Sequence, residues 1–386
     1  MKIFIPFISL LLAFTICYKI IPVVIRIAHL KNLVDLPNHR TSHEKAIPTL
    51  GGIGIFISFS VVILLFSSLY FIPELNFLLL GMIILFFIGI KDDILVLSPK
   101  KKLAAQILVS AIISTLGNVR IDSFQGILGI YEIPYITSVI VSMFVFIALI
   151  NALNLIDGID GLASGFSILA TSLFGTSFFL LGIYGWAMLA FTMVGALACF
   201  FLYNVFGKTN KIFMGDTGSL VIGFFLTTLA FKFIEVNTST LNPLSIKVSA
   251  TMALAILFLP IVDTIRVFAI RIARGKSPFT PDKNHLHHLL LRIGLSHKKA
   301  TLTLLALNVI PILCCLIMDK MNININFILL MLVGLSLTII SVLHMLLVKY
   351  EKNKAIHLEK ISIGSTAFKH KDDKIKQEVF EKSSYN

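Results

Sequence analysis

Apolar runs of about 20 residues, the length that carries a helix across a bilayer, recur along the whole chain. Eleven spans are predicted, at 3–27, 50–72, 77–91, 103–118, 135–153, 162–183, 185–204, 218–236, 247–272, 302–318 and 326–348. A soluble core cannot hide so many near-uninterrupted stretches, so the expected fold class is an all-α polytopic membrane protein with about eleven transmembrane helices. The composition agrees: 57% of the 386 residues are hydrophobic and 14% charged, with a mean hydropathy of +0.93. The expected organisation is one integral membrane domain over 1–348 and a charged, low-aromatic cytoplasmic tail over 349–386 that reads as flexible. Spans three and four are short, and Pro260 is expected to kink the ninth. The first run is too long for a signal peptide's apolar core and lacks a small-x-small cleavage site, so it reads as an uncleaved helix. Between spans four and five, residues 118–134 alternate weakly and contain Gly126 and Gly129, which suggests a small outer β-hairpin.

The formal net charge of +13 does not indicate nucleic acid, because the basic residues follow a membrane pattern. Most of the 33 Lys and Arg fall after odd-numbered spans: Arg26 to Lys45, Lys91 to Lys102, Lys208 and Lys211, Arg266 to Lys299, and the tail. The positive-inside rule then puts the N-terminus outside and the C-terminus inside. Cys17, Cys199, Cys314 and Cys315 lie within apolar runs without metal-site spacing, so they read as small core residues.

With that orientation set by Lys and Arg alone, five polar clusters all fall on the cytoplasmic side. Asp35, Arg40 and His43 lie in DLPNHRTSH, Asp92 and Asp93 end the third span, Asp157 and Asp160 stand in NLIDGIDG, Asp216 opens GDTGS, and His285, His287 and His288 lie in NHLHHLL. A carboxylate beside lipid is costly unless it meets a cation, water or a substrate, and repeating that cost suggests one shared site. Asp92 and Asp93 point about 100° apart on a helix and are therefore expected to have different partners. Lys100, Lys101 and Lys102 can counter them, grip phosphates, or mark the inner face. Asp157 and Asp160, with Asn151 and Asn154 before them, offer hard oxygen donors suited to Mg²⁺ or Mn²⁺ rather than zinc. GDTGS exposes backbone N–H groups at a helix start, which suits a phosphate, although a plain capping turn is the simpler reading. His285 and His288 share a helical face, with His287 turned aside, and the run reads as a phosphate holder. Arg40 can clamp a phosphate bidentately or serve only as an inner-face anchor. No Ser-His-Asp or Cys-His nucleophile stands out, and the inventory fits phosphoryl transfer, which needs mainly positioning and charge neutralisation.

Six stretches, in order, resemble the polyprenyl-phosphate N-acetylhexosamine-1-phosphate transferases: DLPNHRTSHEKAIPTLGG (35–52), GIKDDILVLSPKKKLAAQ (89–106), NALNLIDGIDGLASG (151–165), FLYNVFGKTNKIFMGDTGSL (201–220), VDTIRV (262–267) and SPFTPDKNHLHHLLLRIG (277–294). The resemblance implies transfer of a sugar 1-phosphate from a UDP-N-acetylhexosamine, UDP-GlcNAc by default, to undecaprenyl phosphate in the membrane, with UMP leaving. It implies Mg²⁺ or Mn²⁺ as cofactor and a bacterial inner-membrane enzyme whose site faces the cytoplasm. It makes Asn154, Asp157 and Asp216 the expected metal ligands. Asp92, Asp93, Asp157 and Asp160 become the expected catalytic carboxylates, with Asp92 or Asp93 engaging the lipid phosphate. Arg40, Lys102, Asn151, Asn204, Arg266, His285, His287 and His288 become the expected substrate or phosphate contacts. Within this family HLHHLL followed by RIG looks like the N-acetylglucosamine branch, and phospho-N-acetylmuramoyl-pentapeptide transfer is the runner-up. An ion-coupled transporter is the alternative from another class, disfavoured because the acidic residues sit at one face and the halves show no repeat.

Overall fold

The computed structural model describes residues 2–35, 47–239, 242–278 and 282–383, with the backbone alone at Asp35 and over 355–383. Among them are thirteen α-helices and two minute antiparallel sheets. In chain order the elements are α1 (Ile5–Leu30), β1 (Val34–Asp35), β2 (Ile47–Pro48), α2 (Gly51–Phe66), α3 (Leu75–Leu95), α4 (Pro99–Thr115), β3 (Ser123–Ile127), β4 (Ile130–Glu132), α5 (Tyr135–Ile156), α6 (Leu162–Leu180), α7 (Tyr184–Phe206), α8 (Gly215–Ser239), α9 (Ser249–Ile256), α10 (Phe258–Ala273), α11 (Leu286–Arg292), α12 (His297–Lys320) and α13 (Ile325–Ser383).

Eight of the described helices are long and apolar enough to cross a membrane, nine if the bent pair α9–α10 counts as one span. The two further expected spans correspond to α3 and α4, which lie outside that set and carry Lys91-Asp92-Asp93 and Lys100–Lys102 at the same end of the bundle. The protein is therefore an all-α, multi-pass membrane protein.

Helix α8 is the most enclosed of the spanning helices and packs against α2, α3, α5 and α6. Lipid offers no hydrophobic drive for helices to associate, so close approach through small residues does much of that work. A Cβ on Gly52 of α2 would run into the backbone of Gly218, and one on Gly89 of α3 into Thr217, so both helices touch α8 backbone to backbone at its N-terminal turn. Buried hydroxyls inside the helices, such as Ser58, Thr192, Thr227 and Thr228, donate to carbonyls four residues back and so are satisfied within their own helix.

The ninth span is broken rather than merely kinked. α9 and α10 meet at 73° around Leu257, three residues before Pro260. Pro260 lies in the first turn of α10, where its missing N–H costs nothing, but it leaves the Ile256 carbonyl without its helical donor. The fully buried Asn308 of α12 fills both gaps: its amide donates to the Ile256 carbonyl at 3.1 Å, and its oxygen accepts from the Leu259 N–H at 2.8 Å.

At the opposite end of the bundle from the polar clusters, the expected hairpin forms from β3 and β4. Gln125, with φ at +56°, sends its side chain to Ser249 (2.7 Å), Thr238 and the Ala250 N–H (2.9 Å), while Asn326 holds Gly126 and Leu128. The hairpin thus ties together the ends of α8, α9 and α13. The charged tail continues the last helix: α13 runs as backbone helix to Ser383, well past the apolar sequence.

Candidate active site

Four segments meet where the polar clusters converge. The stretch 212–214 runs alongside β2 and the start of α2, with the Phe213 N–H donating to the Pro48 carbonyl (2.8 Å) and the Gly51 and Gly52 N–H groups donating back to Phe213 and Met214 (2.9 Å each). Gly215 then turns into α8 at φ +70°, where a Cβ would meet the Thr49 carbonyl and the Asp93 carboxylate; only glycine fits without strain. This backbone seam fixes GDTGS against α2 and α3.

The adjacent aspartates have separate partners, as their angular spacing requires. Asp93 caps α8: its carboxylate accepts from the Asp216 N–H (2.8 Å), the Thr217 N–H (3.0 Å) and the Thr217 hydroxyl (2.6 Å). The helix start that suited a phosphate is therefore served by a carboxylate of the protein itself, which satisfies orphan N–H groups and favours the positive end of the helix. Asp92 accepts from the Leu97 N–H and from Lys102 (2.9 Å). Lys102 also donates to Asp216 (2.7 Å), so one ammonium bridges α3 and α8.

Asn154 faces the same carboxylate, donating to Asp216 at 2.8 Å and to Ser219 at 2.9 Å. Asp157 lies just past the end of α5; burial, then repulsion from Asp216, Asp93 and Asp160, pushes its carboxyl up to about 7. Asp160 is different. Burial acts to raise it, but Lys211 (2.6 Å) and His297 (3.2 Å) bind it and hold it below its usual range.

Most of these groups line one open cavity of about 1540 Å³, with Asp92 and Lys102 behind its lining. Asp93, Asn154, Asp157, Asp160 and Asp216 form its acidic floor, and Lys208, Lys211, Lys283, Arg292, His288 and His297 stand around it. Among the described residues no three His, Cys, Asp or Glu side chains form a complete metal site. The donor set nonetheless fits Mg²⁺ or Mn²⁺: Asp157, Asp216 and Asn154 are all oxygen donors, and such ions are held by one or two carboxylates with water and substrate phosphates completing the shell. Burial first, and then the neighbouring carboxylates, raise Asp157, and a divalent cation held there would offset that cost.

Several expected contacts lie elsewhere. Asn151 is spent on Gln106, tying α5 to α4 (2.8 and 3.3 Å). Asn204 reaches the cavity wall, but its amide clips backbone, accepting from Gly161 (2.7 Å) and donating to Ile212 (2.9 Å). Arg266 donates to the Asn284 carbonyl at 2.7 Å, outside the cavity lining. Of His285, His287 and His288, only His288 lines the cavity, where His29 and His297 join it. His285 is buried against Asp263 (3.0 Å). His287 packs under Gly158 with neither ring nitrogen partnered among the described residues, and burial drives its pKa well below the usual value. The spacing argument that put His285 and His288 on one face fails because the helix begins only after His285. Arg40, with His43, lies outside the described residues. His297 lies outside every stretch singled out in the sequence, whereas Lys283 and Arg292 stand in 277–294 and Asp263 in VDTIRV without an expected role of their own.

Residues 75–234 match glycosyl transferase family 4. The chain is 33% identical over 284 residues to undecaprenyl-phosphate alpha-N-acetylglucosaminyl 1-phosphate transferase of Escherichia coli O157:H7, covering 71% of this chain and 73% of that protein. It is 32% identical over 287 residues to the probable undecaprenyl-phosphate N-acetylglucosaminyl 1-phosphate transferase of Bacillus subtilis strain 168, covering 74% and 77%. A relative in Yersinia pestis with the same name as the first is 32% identical over 273 residues, covering 69% of this chain and 72% of that protein.

Proposed function

The chain belongs to glycosyl transferase family 4, and we propose that it transfers N-acetylhexosamine 1-phosphate from a UDP-sugar to undecaprenyl phosphate, releasing UMP. The observation that carries this reading is the convergence of Asp93, Asn154, Asp157 and Asp216 with a ring of basic residues in one cavity at one end of a membrane bundle. UDP-GlcNAc is the expected donor, in keeping with what the relatives' names say they transfer. The reaction makes a lipid-linked sugar pyrophosphate, the starting unit of a cell-envelope polysaccharide.

Asn154, Asp157 and Asp216 would hold a Mg²⁺ or Mn²⁺ ion, which supplies charge neutralisation on the pyrophosphate of the donor. Around it the chain's own residues do the rest. Lys102 gives the site a fixed positive charge between Asp92 and Asp216. Asp93, although it lines the cavity, is committed to the α8 N-terminus, which leaves Asp92, beside Lys102, as the candidate to meet the lipid phosphate. His288, Lys283 and Arg292 form the wall that takes phosphate charge. Asp160 is held ionised by Lys211 and His297 and orients the loop between α5 and α6. The lysine and arginine distribution supports a cytoplasmic cavity with the N-terminus outside and the C-terminus inside, carried by the membrane domain over 1–348. Phospho-N-acetylmuramoyl-pentapeptide transfer and ion-coupled transport are less well supported, given the family and the names of the relatives.

The test is isotope exchange. Purified protein with Mg²⁺ and undecaprenyl phosphate should move labelled UMP into UDP-GlcNAc, with no exchange when the metal is chelated. Exchange absent for every UDP-sugar tried would refute the reading.

A further inference from the structure

The short helix that carries His287 and His288 is held by a residue that touches none of the cavity. α11 has seven residues, too few to hold its own hydrogen bonds without help. Its N-cap residue, His285, makes no side-chain cap. The help comes from Asp263, on α10. This carboxylate is 2% exposed, accepts from the Leu286 N–H at 2.9 Å through one oxygen, and meets His285 Nδ1 at 3.0 Å through the other. A carboxylate only accepts, so Nδ1 must carry the proton and the tautomer of His285 is set. The buried charge is further matched by Arg266 at 3.4 Å.

Three residues on α10 act together. Asp263 holds the start of α11, Arg266 holds the Asn284 carbonyl, and Arg271 holds Asp282 (2.9 Å) and the Pro278 carbonyl. α10 itself has a fixed heading, because the break before it is clipped by Asn308. α11 in turn sends His287 under Gly158, next to Asp157, and presents His288, Leu291 and Arg292 to the cavity.

We propose that Asp263 is a positioning residue of the transferase: its buried carboxylate sets α11 so that His288 and Arg292 form the phosphate-facing wall. The inference rests on the reading of the cavity as the UDP-sugar site. A carboxylate buried at this cost, and saturated by a ring, a helix N–H and a guanidinium, fixes geometry rather than reacting. Misplacing a substrate-facing wall by about 1 Å costs on the order of 100-fold in rate.

Two variants test this, each measured with UDP-GlcNAc and undecaprenyl phosphate as varied substrates. Asp263→Ala removes all three contacts. Asp263→Asn keeps an acceptor for the Leu286 N–H but no longer dictates the His285 tautomer. Both should raise the UDP-GlcNAc KM about tenfold or more and lower kcat, with Asp263→Asn the milder. The KM for undecaprenyl phosphate should change far less. A second readout is modification of His288 by diethyl pyrocarbonate, followed by peptide mass. UDP-GlcNAc with Mg²⁺ should protect His288 in the wild type and not in Asp263→Ala. If Asp263→Ala does not fold, Asp263→Asn decides alone. A folded variant with wild-type KM, kcat and protection would overturn the role of Asp263. A wild-type protein that shows protection and turnover, alongside such a variant, leaves the cavity reading standing. A wild type with neither overturns that reading as well.

Discussion

Asp93 and Asp216 flank a single helix start and do opposite things there. Asp93 is consumed by three donors of α8, whereas Asp216 keeps its carboxylate between Lys102 and Asn154 at the cavity floor. Asp216→Asn and Asp157→Asn are therefore expected to lower turnover by orders of magnitude while the protein still folds in membranes. Asp92→Asn should do the same. Asp93→Ala should lose stability as well, by about 2 kcal/mol for a lost helix cap with its charge, read as a lower melting midpoint in detergent. Equal melting for Asp92→Asn and Asp93→Ala would contradict this division of labour. The raised Asp157 carboxyl carries a second expectation. A carboxyl raised in the folded state contributes stability that is fully present below the unfolded value and lost as pH rises through about 7. Without divalent cation, melting should therefore fall as pH rises from about 4 to about 7 and level off above that. Adding Mg²⁺ should flatten that fall and release protons, measurable in weakly buffered solution. A fall that Mg²⁺ leaves unchanged would separate Asp157 from the metal.

At the scale of elements, the broken span is the feature on which the far wall of the cavity depends. Asn308→Leu leaves the Ile256 carbonyl and the Leu259 N–H buried without partners, at a cost of about 2 kcal/mol or more. Denaturant titration in detergent should show the loss. An unaltered midpoint would mean that the break needs no clip. Pro260 was legible in the sequence as a kink, but the break lies at Leu257, because a proline displaces the hydrogen bond of the residue four before it. Asn308 was not legible, being a lone polar residue on another span whose partner is backbone. The same limit applies to Asp263: its value comes from a contact 22 residues away with His285, and periodicity reports only neighbours three or four apart. By contrast, the separate partners of Asp92 and Asp93 followed from helical geometry alone. The last helix offers a further check. Tyr350 lies against Gly294, and Glu351 pairs with Arg292 at 2.6 Å, an exposed pair of small energetic weight. Truncation after Lys354 keeps both contacts and should leave activity close to wild type; an inactive truncation would give the tail a role in the site.

For the whole molecule, the apolar runs and basic loops were enough to read a membrane bundle and to put the aspartates of 92–93, 157–160 and 216 at one end of it. The physical cause is general: charges avoid lipid, so they gather at helix ends, and ends of one sign of loop share one side. What the runs could not give was convergence within that end, which depends on the Gly52, Gly89 and Gly215 contacts that bring α2 and α3 against α8. The central claim is that this converged cavity joins a nucleotide sugar from water to a phosphate from the membrane. It is tested most directly by incubating the purified protein with Mg²⁺, undecaprenyl phosphate and a panel of UDP-N-acetylhexosamines, and weighing the lipid product. The account predicts undecaprenyl pyrophosphoryl N-acetylhexosamine with stoichiometric UMP, from UDP-GlcNAc first; folded protein that yields no lipid-linked sugar from any donor in the panel would contradict it.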